Sequence, residues 1–133
     1  MSNTELKLGE LEIAVLEEVW RSGQADARGL HARLGADRGN SLQTIQSTLE
    51  RLHRKDLLDR EKISHAYVYT PRHSRETVMA QLIDASLKRF SAGQESGLLA
   101  AFVDYASRAD SALLDELEAL IEQHKRRMNR DAG

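Results

Sequence analysis

The sequence predicts a mainly α-helical protein with one small two-stranded β-ribbon. Apolar residues recur at spacings of three and four over most of the 133 residues, as expected for amphipathic helices. One stretch, residues 57–70, instead contains strand-forming residues on both sides of a short turn. Pro71, the only proline, follows it and precedes a C-terminal part with a helical pattern throughout. We therefore expect two domains, residues 1–73 and residues 74–133.

The composition is that of a globular protein. Hydrophobic residues make up 41% of the chain and charged residues 30%, which excludes a disordered chain. No apolar run reaches the roughly 18 residues of a membrane span, and the N-terminus lacks the pattern of a secretion signal. The absence of cysteine excludes disulfides and thiolate metal sites. We expect a cytoplasmic protein with no stable membrane association.

Charge is distributed unevenly along the chain. The net charge is only −2, which alone gives no indication of nucleic-acid binding. Residues 1–20, however, carry one lysine against five glutamates, whereas residues 38–72 carry seven lysines and arginines against four carboxylates. A local basic region of this kind can bind phosphates even in a chain that is acidic as a whole.

The first two elements are predicted to be short amphipathic helices. Residues 8–22 form the first, with the glutamates on the face opposite the apolar stripe and Gly23 as the C-terminal stop. The stripe consists of Leu8, Leu11, Val15, Leu16, Val19 and Trp20. Residues 25–35 form the second, capped by Asp26 and ended by Gly35.

A third helix is predicted over residues 41–55, with Ser41 as its N-cap and an inward stripe of apolar residues. Its outer face carries amides, hydroxyls and cations: Gln43, Thr44, Gln46, Ser47, Arg51, Arg54 and Lys55. Together with Ser41, these are the candidate DNA-binding residues of the helix. Such a face suits a DNA major groove, because Gln pairs with adenine and Arg with guanine or phosphate. A stretch of this kind, taken alone, is more often an ordinary solvated helix than a DNA-binding one. The elements before and after it are therefore needed to distinguish the two interpretations.

The ribbon follows this helix directly. Asp56 takes a position that needs a left-handed residue, and residues 57–63 and 66–70 form two strands around a turn at Ser64 and His65. Four residues of the ribbon are candidate contacts to DNA: Arg60, Lys62, His65 and Tyr67. The alternative is a solvated hairpin with ordinary charges. Three helices followed by a ribbon favour a winged helix-turn-helix, with the third helix as the recognition helix.

The C-terminal part is predicted to hold three more helices, over residues 75–91, over residues 94–107 and from Ser111 onward. Three amphipathic helices in about 60 residues form too small a core to be stable alone. We therefore expect them to pack against a second copy, as a homodimerisation region. The candidate dimerisation residues are Leu82, Leu87, Phe90, Leu99, Phe102, Val103, Leu113, Leu117, Leu120 and Ile121.

The sequence offers no motif for catalysis. It has no Gly-rich phosphate loop, no Gly-x-Ser-x-Gly elbow and no His-Glu-x-x-His zinc motif. The histidines lack the spacing of metal ligands. We expect a non-enzymatic protein with no cofactor and no metal.

Several stretches resemble the BlaI/MecI penicillinase repressors. The run from Leu8 to Leu16 followed by Val19-Trp20 looks like the first helix of that family, and residues 44–55 resemble its recognition helix. Residues 66–71, Ala-Tyr-Val-Tyr-Thr-Pro, are similar to its wing. Phe90, Gly93 and residues 98–103 resemble its dimerisation helices. The likeness extends over about residues 6–125.

The resemblance implies a dimeric winged-helix repressor that binds double-stranded DNA at an inverted-repeat operator. The groove-facing positions would be Gln43, Thr44, Gln46, Ser47 and Arg51. It also implies induction by proteolysis in the dimerisation region, triggered by a membrane-bound antibiotic sensor, as in β-lactam resistance. The corresponding bond is Ala101–Phe102, where Ala101 stands in place of the family's Asn. The related CopY branch senses copper through cysteine pairs, which this chain lacks. Asp56 replaces a usual Gly.

Three functional hypotheses remain open from the sequence. The leading one is a sequence-specific transcriptional repressor. The second is a winged-helix protein–protein interaction module without a DNA role, in line with the nearly neutral total charge. The third is a regulator that binds a small ligand between its two domains, using Trp20 or the histidines.

Overall fold

A computed structural model describes residues 6–35, 38–89 and 95–132. Within these ranges the chain forms six helices and one two-stranded antiparallel sheet, so the predicted fold class is confirmed. The chain divides into two compact units, Met1–Ser86 and Leu87–Gly133. No described helix combines the length and apolar character needed to cross a membrane.

The first helix, α1, spans Glu10–Ser22 and begins two residues later than predicted. Gly9 has an extended backbone and its amide donates to Oε1 of Glu12 at 2.9 Å, which fixes the start of the helix. Gly23 ends it with φ 86°, and its amide donates to the carbonyl of Val19 at 2.8 Å. The expectation that the glutamates share an outer face is wrong for Glu12, which is 7% exposed.

The second helix, α2, spans Ala27–Leu30 and continues as a π-helical turn over His31–Gly35. Asp26 caps it as predicted, because its Oδ1 accepts from the amide of Gly29 at 2.8 Å. Gly35 ends it where the chain packs tightly: a Cβ at that position would lie 3.0 Å from the carbonyl oxygen of Asn40. The amide of Asn40 also donates to the carbonyl of Gly35 at 3.0 Å, which places the end of this helix next to the residues that precede the third helix.

The third helix, α3, spans Leu42–Arg54. Ser41 caps it as predicted, with its Oγ accepting from the amide of Thr44 at 3.1 Å. The inner face is fully buried and consists of Ile45, Thr48, Leu49 and Leu52. After the helix, Asp56 adopts a left-handed conformation with φ 64°, also as predicted.

The ribbon consists of β1, Leu58–Ile63, and β2, Ala66–Pro71, paired antiparallel with Ile63 opposite Ala66. Ser64 and His65 form the turn with φ values of 50° and 73°. Two positive φ angles are typical of the tight hairpin turns whose twist matches the strands. The sequence did not indicate one further contact, a β-bridge in which Ala25 and Tyr69 exchange backbone hydrogen bonds of 2.9 and 2.8 Å.

One hydrophobic core joins these elements. Its buried residues are Val15, Leu16, Val19, Ala25, Leu30, Ile45, Leu49, Leu52, Leu57, Leu58, Tyr69 and Val78. Val78 comes from helix α4, Arg75–Arg89. Near the start of α4, the indole Nε1 of Trp20 donates to the carbonyl of His73 at 3.0 Å, and Arg75 pairs with Glu17 at 2.8 Å. These contacts hold the first helix against the segment that follows the ribbon.

The second unit contains α5, Glu95–Ala109, and α6, Ser111–Ala132. Large apolar residues of both helices are exposed: Leu99, Phe102, Val103, Tyr105, Leu113, Leu120, Ile121 and Met128. Among its described side chains only Ala106 is buried. Phe90 and Gly93, which carried part of the family resemblance, lie outside the described residues.

Candidate nucleic-acid interface

An open groove of about 750 Å³ lies between the outer face of α3 and the ribbon. Gln43, Gln46, Ser47, Leu49, Glu50, Arg51 and Arg54 of α3 line one side. His65, Ala66, Tyr67 and Tyr69 of the ribbon and Asp26, Ala27 and Arg28 at the start of α2 line the rest. The groove therefore brings together seven of the twelve predicted DNA-binding residues: Gln43, Gln46, Ser47, Arg51, Arg54, His65 and Tyr67.

Several polar side chains of α3 that line the groove have no partner among the residues that the structure describes. Gln43, Gln46 and Ser47 are exposed, and their side chains make no hydrogen bond to any residue in the described ranges. Arg54 is also exposed and pairs with no carboxylate in the described part of the chain. Amides and a guanidinium that are left without partners in an open groove can bind the edges of bases or phosphates.

Ser41 and Thr44 do not line the groove. The two hydroxyls lie 3.0 Å apart, and Ser41 also accepts from the amide of Thr44. Both residues are exposed at the N-terminus of α3. The Ser41 side chain is therefore already used in capping the helix.

Lys55 also lies outside the groove, in contact with α1. Its Nζ is 2.8 Å from Oε2 of Glu12 and 2.7 Å from the carbonyl oxygen of Lys7. Arg51 belongs to both regions: it lines the groove, and its Nε lies 3.7 Å from the same Oε2 of Glu12. Glu12 thus connects the first helix to the C-terminal half of α3.

Glu12 is held in its charged form despite its burial. Burial acts to raise the pKa of its carboxyl, but hydrogen bonds from Lys55 and from the amide of Gly9, together with the positive charges of Lys55 and Arg51, outweigh it. The pKa therefore lies below the ordinary value of 4.5. A negative Glu12 provides a fixed anchor for the two cations.

The ribbon is connected to α3 through Arg60. Its Nη1 forms an ion pair with Oε1 of Glu50, and its guanidinium lies 4.2 Å from the ring centroid of Tyr67. Lys62 is exposed, with its Nζ 5.9 Å from the same centroid. Arg60 and Lys62 do not line the groove. The Arg60 contacts instead orient the ribbon relative to α3.

Three charged residues that line the groove were not predicted from the sequence to do so: Asp26, Arg28 and Glu50. Asp26 was predicted only as a cap, and Arg28 follows it by two positions. A cation in the first turn of the second helix was the available signal for Arg28, since helix termini next to a recognition helix commonly face the DNA backbone. Glu50 gave no such signal, because its pairing with Arg60 joins residues ten positions apart in different elements.

The histidines do not form a metal centre in the part of the chain that is described. No group of three or more His, Asp or Glu residues there is arranged to hold a metal ion. The Trp20 indole is engaged by the carbonyl of His73. The Nδ1 of His53 is buried and has no hydrogen-bond partner among the residues that the structure describes.

The chain is similar to known repressors over most of its length. The sequence model of the family described as Penicillinase repressor matches residues 8–123. The protein named Transcriptional regulator BlaI from two strains of Mycobacterium tuberculosis is 34% identical over 119 residues, which cover 85% of this chain and 86% of the relative. The Penicillinase repressor of Bacillus licheniformis is 24% identical over 121 residues, 91% of this chain and 94% of the relative. The chain therefore belongs to the penicillinase repressor family.

Proposed function

We propose that the protein is a transcriptional repressor that binds an inverted-repeat operator in double-stranded DNA as a homodimer. The observation that carries the proposal is the groove between α3 and the ribbon, in which Gln46, Arg51 and Arg54 face the same space as His65 and Tyr67. The names of the relatives, a transcriptional regulator and a penicillinase repressor, support the same function.

The chemistry of the groove fits a DNA duplex. Gln43 and Gln46 present amides that can pair with adenine, and Arg51 and Arg54 present donors for guanine or phosphate. Arg28, across the groove at the start of α2, adds a cation where the backbone of the DNA would pass. In this arrangement α3 lies in the major groove, and the ribbon reaches the adjacent phosphates through His65 and Tyr67.

A homodimer is supported by the apolar surface of the second unit. Phe102, Leu113 and Leu120 are each at least 39% exposed although they are large and apolar. Exposed apolar surface on two helices of this size is stabilised by packing against an identical surface. Two copies would place two recognition helices in major grooves about one DNA turn, roughly 34 Å, apart.

Derepression is proposed to act on the same unit, by proteolysis or by another signal. The family resemblance favours cleavage of the Ala101–Phe102 bond through a membrane-bound sensor protease of the β-lactam type. Both residues are exposed but lie within α5. A protease requires an extended segment, so cleavage requires local opening of that helix. Mass spectrometry of the repressor from cells that carry the sensor and are exposed to a β-lactam would show a fragment ending at Ala101. An intact repressor under inducing conditions would point to another signal.

The function is tested by in vitro selection from a randomised duplex library with the full chain, followed by sequencing of the bound DNA. We expect an inverted repeat, bound with an affinity that falls steeply as the salt concentration rises. Recovery of no enriched sequence, with binding that does not depend on salt, would contradict the proposal. It would favour a protein–protein interaction module instead.

A further inference from the structure

Arg51 is held by two side chains on the protein side of the groove. Its Nη2 donates to Oγ1 of Thr48 at 3.3 Å, and its Nε lies 3.7 Å from Oε2 of Glu12. Nε and Nη2 form one of the two forks of a guanidinium, the side-on fork. The side-on fork therefore faces a hydroxyl and a carboxylate that belong to the protein.

Thr48 is built to accept the hydrogen bond from Arg51. It is fully buried, and its own hydroxyl proton is donated to the carbonyl of Thr44 at 2.8 Å. A hydroxyl has one donor and two acceptor positions, so the proton is committed and a lone pair remains for Arg51. Because Thr48 is β-branched and lies in a helix, its side chain has little rotational freedom.

The carboxylate of Glu12, the second group that contacts Arg51, is also fixed by hydrogen bonds within the protein. Its Oε1 accepts from the amide of Gly9 at 2.9 Å, and its Oε2 accepts from Lys55 at 2.8 Å. A buried carboxylate with two hydrogen bonds cannot follow Arg51 as the arginine moves. It therefore attracts the guanidinium toward one position.

The other fork of Arg51 is left for a ligand. The side chain is 48% exposed and lines the groove, and no residue in the described ranges accepts a hydrogen bond from Nη1. Nη1 and the outer N–H of Nη2 form an end-on fork, whose spacing matches O6 and N7 of guanine. An arginine held before binding loses less conformational entropy when it contacts a base.

We propose that Thr48 and Glu12 are positioning residues that present the end-on fork of Arg51 to a guanine in each half of the operator. The inference rests on the proposed function and adds the base that Arg51 reads. Thr48 and Glu12 themselves touch no DNA. They act on the discrimination between base pairs rather than on the overall attraction of the protein to DNA.

The test uses the full chain and the duplex obtained by selection, with a set of duplexes in which each base pair is replaced in turn. Fluorescence anisotropy gives the affinity of each variant for every duplex. Arg51→Lys keeps the charge but has no fork, so the base pair at which it loses discrimination is the one that Arg51 reads. Thr48→Val removes the hydrogen-bond acceptor for Arg51 at nearly constant side-chain volume. Two variants are controls: Thr48→Ser keeps a hydroxyl acceptor at position 48, and Thr77→Val makes the same exchange at an exposed position on α4.

We expect Thr48→Val to reduce discrimination at the base pair identified by Arg51→Lys by about 5-fold or more, the lower range of one bidentate contact. Affinity for unrelated DNA should stay unchanged, and Thr48→Ser and Thr77→Val should behave like the wild type. Glu12→Gln should reduce discrimination at the same base pair. This second variant tests the proposal even if Thr48→Val does not fold.

Two results would overturn the inference while leaving the proposed function intact: full discrimination by both Thr48→Val and Glu12→Gln, or an equal loss of affinity for all duplexes. A wild-type protein without any sequence preference would instead contradict the proposed function, and the inference with it.

Discussion

The Nζ of Lys55, directly after the end of α3, lies 2.8 Å from Oε2 of Glu12 in the first helix. The same lysine donates to the backbone carbonyl of Lys7 at 2.7 Å. Lys55 thus joins two helices at the edge of the core, on a side of α3 away from the groove. Lys55, which was predicted from the sequence to contact DNA, therefore has the carboxylate of Glu12 as a partner within the protein.

Loss of the Glu12 carboxylate should destabilise the first unit. Glu12→Gln removes the charge that Lys55 and Arg51 contact, and we expect a loss of about 1.5–3 kcal/mol at neutral pH, the range for hydrogen bonds to charged groups. Thermal unfolding at a fixed protein concentration measures it. Glu10→Gln, at an exposed position two residues earlier, is the control and should change little. Equal stability of Glu12→Gln and the wild type would show that the contacts of Glu12 contribute nothing.

The effect of Glu12 should also depend on pH. Its pKa in the folded protein lies below the ordinary 4.5, so the folded state binds fewer protons than the unfolded state in the window between the two values. The stabilisation is complete above pH 4.5 and is lost as the pH falls through the folded pKa. We expect the difference in unfolding free energy between wild type and Glu12→Gln to shrink on acidification. A difference that grows on acidification would mean the pKa is raised.

Asp56 should tolerate glycine better than alanine. Its φ of 64° is in the left-handed region, where a Cβ is strained. Asp56→Ala and Asp56→Gly both remove the exposed ion pair with Arg72, so the comparison isolates the backbone. We expect Asp56→Ala to be less stable than Asp56→Gly by about 1 kcal/mol in chemical denaturation. An alanine variant as stable as the glycine variant would contradict a strained conformation.

Glu50 should weaken the electrostatic attraction between the groove and DNA. It lines the groove and neutralises Arg60. Glu50→Gln frees that guanidinium for a phosphate, so we expect tighter binding to unrelated DNA and a slope of log affinity against log salt that is steeper by about 1. Glu61→Gln removes the same charge from the exposed side of β1 and should give a smaller change. The same salt slope in both variants would show that Arg60 is not released.

The proposed dimer should depend on Leu120. This residue is 56% exposed on α6, and a charge there would be buried in each copy of a symmetric interface. We expect Leu120→Glu to weaken dimerisation about 10-fold or more, since burial of a leucine contributes about 1.5–3 kcal/mol per copy. Sedimentation velocity over a concentration series measures this. Ala119→Glu, one residue earlier on a different face, should remain dimeric, and an unaffected Leu120→Glu would argue against this interface.

The sequence allowed most of the local structure to be predicted. The helix ends are as predicted: the side chains of Asp26 and Ser41 cap α2 and α3, and Gly23 ends α1. Asp56 has the expected left-handed backbone. These are contacts within a few residues, which depend on residue type and spacing alone. The prediction of a non-enzymatic protein is confirmed by membership in a repressor family.

The contacts between elements could not be predicted in the same way. The burial of Glu12 depends on Lys55, which is 43 positions away, and the pairing of Glu50 with Arg60 depends on how the ribbon folds back on α3. Periodicity assigns a residue to a face of its own helix but does not show which charged residue of another element meets it. For that reason Lys55 and Arg60 looked equivalent to Arg54 in the sequence, although only Arg54 lines the groove.

We propose that the groove between α3 and the ribbon binds DNA in a sequence-specific manner. This is tested most directly by titrating the wild type and Arg51→Ala against the selected inverted repeat and against a scrambled duplex. We expect Arg51→Ala to lose about 5-fold or more in affinity for the repeat, with a much smaller loss for the scrambled duplex. Unchanged affinity for the inverted repeat would contradict the claim.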